Sequence, residues 1–200
     1  MTSVKDDAAT RPAVFPASRY ALFTVIALVG VAVDLWTKSW IFGRLWPPDG
    51  IRRPVQWIWP GRIGLEVTLN EGALFGWGEG LVWIFVILSV AAAAGILYWL
   101  FVVGEAQSLW LTIALGAITA GILGNLYDRV GLHGLAFPVG YPKSGETAYA
   151  VRDWILFQWN NDVRWPNFNA ADSWLVGGAI MLLLHSFRTP SSQQTPDANE

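Results

Sequence analysis

Hydrophobic and polar positions divide this chain into two kinds of material. Four stretches stay apolar for long enough to cross a bilayer, at about 20 to 42, 81 to 103, 108 to 127 and 170 to 187. Leu81 to Val103 is 23 consecutive uncharged residues, enough to span a hydrocarbon core of about 30 Å with some tilt. Ser108 to Tyr127 is an uncharged 20-mer in which Gly116, Ala120 and Gly124 recur every fourth residue. Such a small-residue stripe suits close helix packing. Residues 47 to 78 follow another rhythm: after the turn signal Pro47-Pro48-Asp49-Gly50, Ile63, Leu65, Val67 and Leu69 alternate with Gly64, Glu66, Thr68 and Asn70. That alternation predicts strands. Strands cannot lie open in lipid, so the pattern predicts a small sheet on the membrane surface, with Trp57, Trp59 and Trp77 toward the headgroups. The polar stretches 1 to 19 and 189 to 200 predict disordered tails.

Composition narrows the class. Of 200 residues, 54% are hydrophobic and only 14% charged, which fits one membrane domain over residues 20 to 188. A net charge of −2 offers no basic face for phosphates, so nucleic-acid binding is set aside. Cysteine is absent, which removes disulfides, a thiol nucleophile and thiolate metal clusters. Thirteen tryptophans suit a protein anchored at membrane interfaces. Gly30-Val31-Ala32 has the small residues of a signal-peptide cleavage site. Apolarity resumes through Ile41, Phe42 and Leu45, which favours an uncleaved first span. Four spans put both termini on one side, but basic residues flank the termini and crowd the first loop alike, so charge does not orient the chain.

The polar residues set into this apolar sequence carry the candidate chemistry. Asp34 falls about 14 residues into the first span, roughly 21 Å along a helix, and Lys38 follows at i+4. The two form either a self-neutralised pair or part of a site's support. Asn125/Asp128 and Asn169/Asp172 share the spacing N-x-x-D, which puts amide and carboxylate on one helix face. For Asn169/Asp172 a capping box is the plainer reading; for Asn125/Asp128 it is a satisfied helix end with Arg129 as the acid's partner. Asp153, taken alone, reads as an interfacial charge. Taken together, carboxylates at a membrane boundary point to a functional site. Two that share a site share a proton, one acting as base toward water and the other as acid. The histidines offer no competing scheme: His133 lies in a loop and His185 near a helix end.

Five segments in order carry a resemblance: Asp34-Leu35-Trp36-Thr37-Lys38, Asn70-Glu71-Gly72-Ala73-Leu74-Phe75, Gly124-Asn125-Leu126-Tyr127-Asp128-Arg129, Val151-Arg152-Asp153-Trp154 and Phe168-Asn169-Ala170-Ala171-Asp172-Ser173. In these the chain resembles the lipoprotein signal peptidase (signal peptidase II) family over about residues 20 to 187. The resemblance implies a mostly α membrane protease: four transmembrane helices with a small β-sheet on the extracytoplasmic surface. It implies residence in the bacterial inner membrane with cytoplasmic termini. The implied activity is cleavage of prolipoproteins on the amino side of a diacylglyceryl-modified cysteine, by two aspartates and water, with no metal or cofactor. Carried across, the catalytic pair falls on Asp153 and Asp172. Asn125, Asp128, Arg129 and Asn169 support it, with Asp34 and Lys38 behind, and Asn70 and Gly72 face the substrate.

Three departures stand out. Glu71 and Leu74 replace the family's Thr and Ala. Arg152 and Trp154 flank Asp153, and an extended backbone there turns Arg152 toward water. The insert at 131 to 149 is far longer than the family's link and reads as a surface flap. Two other classes compete: a non-enzymatic carrier whose carboxylates relay protons, and a lipid-headgroup transferase holding Mg²⁺ on Asp128, Asp153 and Asp172. The residues set no oligomeric state.

Overall fold

The uncharged run beginning at Leu81 forms a helix, as do the other three apolar stretches, in a computed structural model that describes residues 16–72, 80–160 and 163–188. Helix α1 spans Ser18–Leu45. Helix α2 spans Val82–Leu97 and continues as a π-helical turn over Tyr98–Val103. Gly104 ends it at φ 101°, a left-handed conformation that glycine adopts without strain. Ser108 then starts α3 (Leu109–Arg129), its side chain accepting a hydrogen bond from the Leu111 amide at 3.3 Å. Helix α4 spans Ala170–Arg188. All four are long and apolar enough to cross a bilayer, which makes this a multi-pass membrane protein. Residues 1–15 and 189–200 of the expected tails, and Trp77, lie outside the described residues, while Ser18 and Arg19, expected in the first tail, open α1.

The small-residue stripe puts α3 in the middle. More than half of α3 is buried, whereas α2 is almost wholly exposed along its membrane-spanning length. Helices α1, α2 and α4 each pack on α3. A Cβ added to Gly121 would lie 2.4 Å from the Ala171 carbonyl oxygen of α4, and one on Gly124 would lie 2.4 Å from Asp34 Oδ2 of α1. Only hydrogen fits at these two crossings. At the end of the bundle away from the sheet, Phe23, Leu100, Ala106, Leu111 and Leu115 close the core.

The sheet has three antiparallel strands in the order β1 (Gln56–Trp59), β2 (Ile63–Asn70), β3 (Val151–Phe157). It is therefore not confined to residues 47 to 78. Its third strand arrives after α3 and the insert, and places Asp153 opposite Thr68 and Val151 opposite Asn70. Phe168 pairs with Ile155 along the free side of β3, so that edge is covered where α4 begins. Trp57 and Trp59 are exposed on the outer strand.

The insert is folded rather than a free flap. Ala136 bridges Thr147, and the Phe137 and Ala148 amides donate to Glu146 and Leu135 carbonyls, each at 2.9 Å. Phe137 and Ala148 are buried. The hairpin docks on the turn after α1, where a Cβ on Gly50 would lie 2.0 Å from the Val139 carbonyl oxygen. Its two prolines and its turn glycines set the bends, and burial of Phe137 supplies an anchor that a polar reading of the segment overlooks. His133 belongs to this fold, accepting from the Leu135 amide at 3.0 Å.

Candidate active site

Where α1, α3, α4 and β3 meet, two clusters of acids lie side by side, all buried except the half-buried Asp172. The deeper one is an ion network. Lys38 lies 2.7 Å from Asp34 and 3.1 Å from Asp128, all three fully buried. Arg152 adds a two-nitrogen grip on Asp128 Oδ1, from Nε at 3.0 Å and Nη2 at 2.8 Å, and its backbone amide donates to Oδ2 at 2.9 Å. Asp34 in turn accepts from the Ala171 amide at 2.9 Å, which fixes the first turn of α4 against α1.

This corrects two expectations. Arg152 does not face water: it is only 4% exposed. Neighbouring residues of β3 do point to opposite faces, but the second face is covered by the end of α1, where Ser39 Oγ lies 3.5 Å from Arg152 and Phe42 lies beneath its guanidinium. The partner of Asp128 is also not Arg129. A step of one residue turns about 100° around a helix, so Arg129 points elsewhere. It donates to the Gly72 carbonyl at 3.2 Å and lies over the Phe85 ring.

The second cluster contains Asp153 and Asp172, held by amides. Asn169 bridges them: its Nδ2 donates to Asp153 Oδ1 at 2.6 Å, and its backbone amide donates to Asp172 Oδ2 at 3.0 Å. The Asp172 amide returns a bond to Asn169 Oδ1 at 3.0 Å, so the capping box is real and is part of the site. Asn125 Nδ2 donates to Asp172 Oδ1 at 2.9 Å, while its Oδ1 accepts from Lys38 at 3.0 Å. Asn125 is thus the link between the clusters, its orientation fixed by an ammonium. Asn70 Nδ2 donates to Asp153 Oδ2 at 3.1 Å, and its Oδ1 accepts from the Gly72 amide at 3.0 Å. Burial, then the nearby Asp172 carboxylate, push the Asp153 carboxyl up to about 7; the Asn70 and Asn169 hydrogen bonds and the Lys38 charge oppose this only in part.

The structure brings together all ten candidate residues, but in two tiers. Asn70, Gly72, Asn125, Arg129, Asp153 and Asp172 line a groove of about 690 Å³ that continues down α4 past Leu175, Val176 and Ile180. Asn169 lies just behind it, and Asp34, Lys38 and Asp128 lie deeper, withdrawn into the ion network. Sequence reasoning missed Glu66, which receives Arg164 and fixes Asn167 through a 2.9 Å bond from its Nδ2 to the Glu66 carbonyl. That loop forms the rim above α4. The only sequence signal was an acid within an alternating strand.

Four apolar spans around an amide-held carboxylate pair that opens to a groove along α4 define a multi-pass membrane protein with an enzyme-like site. A family model described as signal peptidase (SPase) II matches residues 26–188. A lipoprotein signal peptidase of Rhodopirellula baltica is 50% identical over 179 residues, covering 90% of this chain and 77% of its own. One of Pseudomonas fluorescens is 34% identical, covering 86% of this chain and 90% of its own. The fold is shared with a bacterial membrane enzyme solved by the in meso method, at a TM-score of 0.65 and 23% identity, over 88% of this chain and 94% of the other. The chain belongs to the signal peptidase II family, and it is a membrane protease. That membership does not favour the proton-carrier alternative.

Proposed function

We propose that this protein removes signal peptides from prolipoproteins, cutting on the amino side of a diacylglyceryl-modified cysteine, with Asp153 and Asp172 as the catalytic pair. One observation carries this reading: Asn169 holds both carboxylates at the head of a single groove that descends between membrane helices. Asp153 keeps the shared proton, since its surroundings favour the neutral form. Asp172, oriented by Asn125 and Asn169, takes a proton from the attacking water while the Asp153 hydroxyl donates to the scissile carbonyl oxygen. The tetrahedral intermediate then collapses with proton transfer to the leaving amine, so that the elements of water are added across the C–N bond.

Asn70 and Gly72 form the substrate-facing edge, with Arg129 fixing the Gly72 carbonyl. The lower groove, lined by Leu175, Val176 and Ile180, accepts acyl chain. The site sits near the outer face of the bacterial inner membrane, with the sheet on that face and the termini in the cytoplasm. Four spans put both termini on one side, opposite a sheet that caps the other end of the bundle. The insert borders the substrate edge, because Lys143 pairs with Glu71 beside Gly72. Lys38 and Arg152 leave Asp128 committed to the ion network, which speaks against a site that needs Asp128 as a metal ligand.

The test is cleavage in proteoliposomes of a diacylated precursor peptide, its unmodified form, and the diacylated form with chelator. Cleavage of the diacylated peptide alone, undiminished by chelator, is expected. Loss of cleavage with chelator would favour the transferase-like metal site, and no cleavage of any peptide would overturn the reading.

A further inference from the structure

Helix α4 has a hollow on each flank. One is the groove of the candidate site. The other lies between α4, α1 and α3, holds about 370 Å³, and is lined by Val25, Ile26, Val29, Ile113, Trp174 and Met181 among others. It sits within the membrane-spanning segments and, apart from the Trp174 ring nitrogen, presents only apolar side chains. Hydrocarbon is therefore the chemistry that fits it. Trp174 packs on Gly30 at its upper end, and Met181 stands toward its lower end, its carbonyl held by Trp110 Nε1 at 2.6 Å.

The two hollows share one residue, Gly177. Its neighbour Gly178 is explained by packing, since an added Cβ would lie 2.5 Å from Ile118 and 2.7 Å from the Ala114 carbonyl oxygen. Gly177 is not so explained. A Cβ there would meet no atom within 4 Å, and glycine inside a helix costs stability relative to alanine. Gly43 and Gly95 are equally open but line neither hollow. At Gly177 the missing side chain leaves a low saddle across α4, five residues below Asp172, or about 7.5 Å along the helix axis.

We infer that the α1/α3/α4 hollow seats the second acyl chain of the substrate, which crosses α4 at Gly177 while the first chain lies in the active-site groove. The inference rests on the proposed prolipoprotein function. A glyceryl group bears its chains on separate carbons, so the two part close to the thioether and straddle the helix. Each takes an apolar channel that begins below the catalytic pair. The continuity of the rim through Gly177 joins this hollow to the site; a bulk lipid seated there would have no need of that opening.

The experiment compares three precursor peptides, with dipalmitoylglyceryl, monopalmitoylglyceryl and unmodified cysteine, on the full-length wild type, Gly177→Phe, Val29→Trp and the control Ala179→Phe. Gly177→Phe fills the saddle, Val29→Trp fills the hollow from α1, and Ala179 lines neither. Both filling variants are expected to raise KM for the dipalmitoyl peptide about tenfold or more, with the control unchanged and, in Val29→Trp, at a position that does not line the site groove, the monopalmitoyl peptide unchanged. Equal KM values for the dipalmitoyl peptide in wild type and both filling variants would overturn the inference, leaving the hollow to bulk lipid. An equal loss on both acylated peptides in Val29→Trp would also overturn it, as damage to the site itself. If the wild type cleaves neither acylated peptide, the proposed function fails first, which the wild-type arm alone reveals.

Discussion

Two groups of acids, all buried except the half-buried Asp172, lie within one side chain of each other and have different surroundings. Asp34 and Asp128 are answered by full cations, Lys38 and Arg152. Asp153 and Asp172 are answered by the amides of Asn70, Asn125 and Asn169. A cation in contact anchors a carboxylate with charge-assisted bonds, whereas an amide orients it without a countercharge. The first group is thereby a structural clamp across α1, α3 and β3. The second keeps one proton in play. Asn125 joins them, so the clamp's ammonium orients the amide that orients Asp172.

The largest expected effect separates the groups by activity. Asp153→Asn and Asp172→Asn should each lower kcat on a diacylated precursor by at least 10² to about 10⁴-fold, with the protein still inserted. Near-wild-type turnover in either variant breaks the contrast. Next in size, Asp128→Asn should destabilise by about 3–5 kcal/mol, because two buried cations lose their shared acid. Activity should fall with it, as measured by thermal unfolding in detergent alongside turnover. A stable but inactive Asp128→Asn would move the proton-sharing role toward Asp128.

A smaller effect reads the same contrast through pH. The folded Asp153 carboxyl titrates at about 7, above its ordinary value of 3.8. The native state therefore holds the extra proton between those values, and stability falls as pH rises across that window. Asp153→Asn should remove this slope and raise Tm at pH above 7, with little change near pH 4. Wild-type kcat should also fall as pH rises through about 7, as the acid loses its proton. The smallest effect concerns the rim. Lys143→Ala breaks the partly exposed pair with Glu71, worth about 0.2–1 kcal/mol, and should raise KM a few-fold with kcat unchanged. Replacing the hairpin from Leu135 to Tyr149 by a short Gly/Ser link should do more, since it also removes the buried Phe137.

Much of this was legible in the sequence where the information is local. Uncharged runs gave the spans, the i, i+4 spacing gave the Asp34–Lys38 pair, and alternation gave β2. The Gly116/Ala120/Gly124 stripe foretold the central place of α3, because a small residue every turn has few other uses in lipid. Partners distant along the chain were not legible. Nothing local tells Asp128 to choose Arg152, 24 residues on, over its neighbour Arg129. Strand β3 hides because both of its faces are covered, so Val151-Arg152-Asp153 shows no alternation even though it is extended. The hairpin hides because a single buried phenylalanine anchors a segment otherwise rich in glycine, proline and polar residues.

The central claim is that Asp153 holds a proton up to about neutral pH in the folded protein. The direct measurement is the infrared carboxyl stretch of the full-length protein, titrated in membranes and compared with Asp153→Asn. The account predicts a protonated carboxyl band below neutral pH that disappears with a midpoint near 7 and is missing from the variant. A band that persists unchanged in Asp153→Asn, or a wild type with no protonated carboxyl at pH 6, would contradict it.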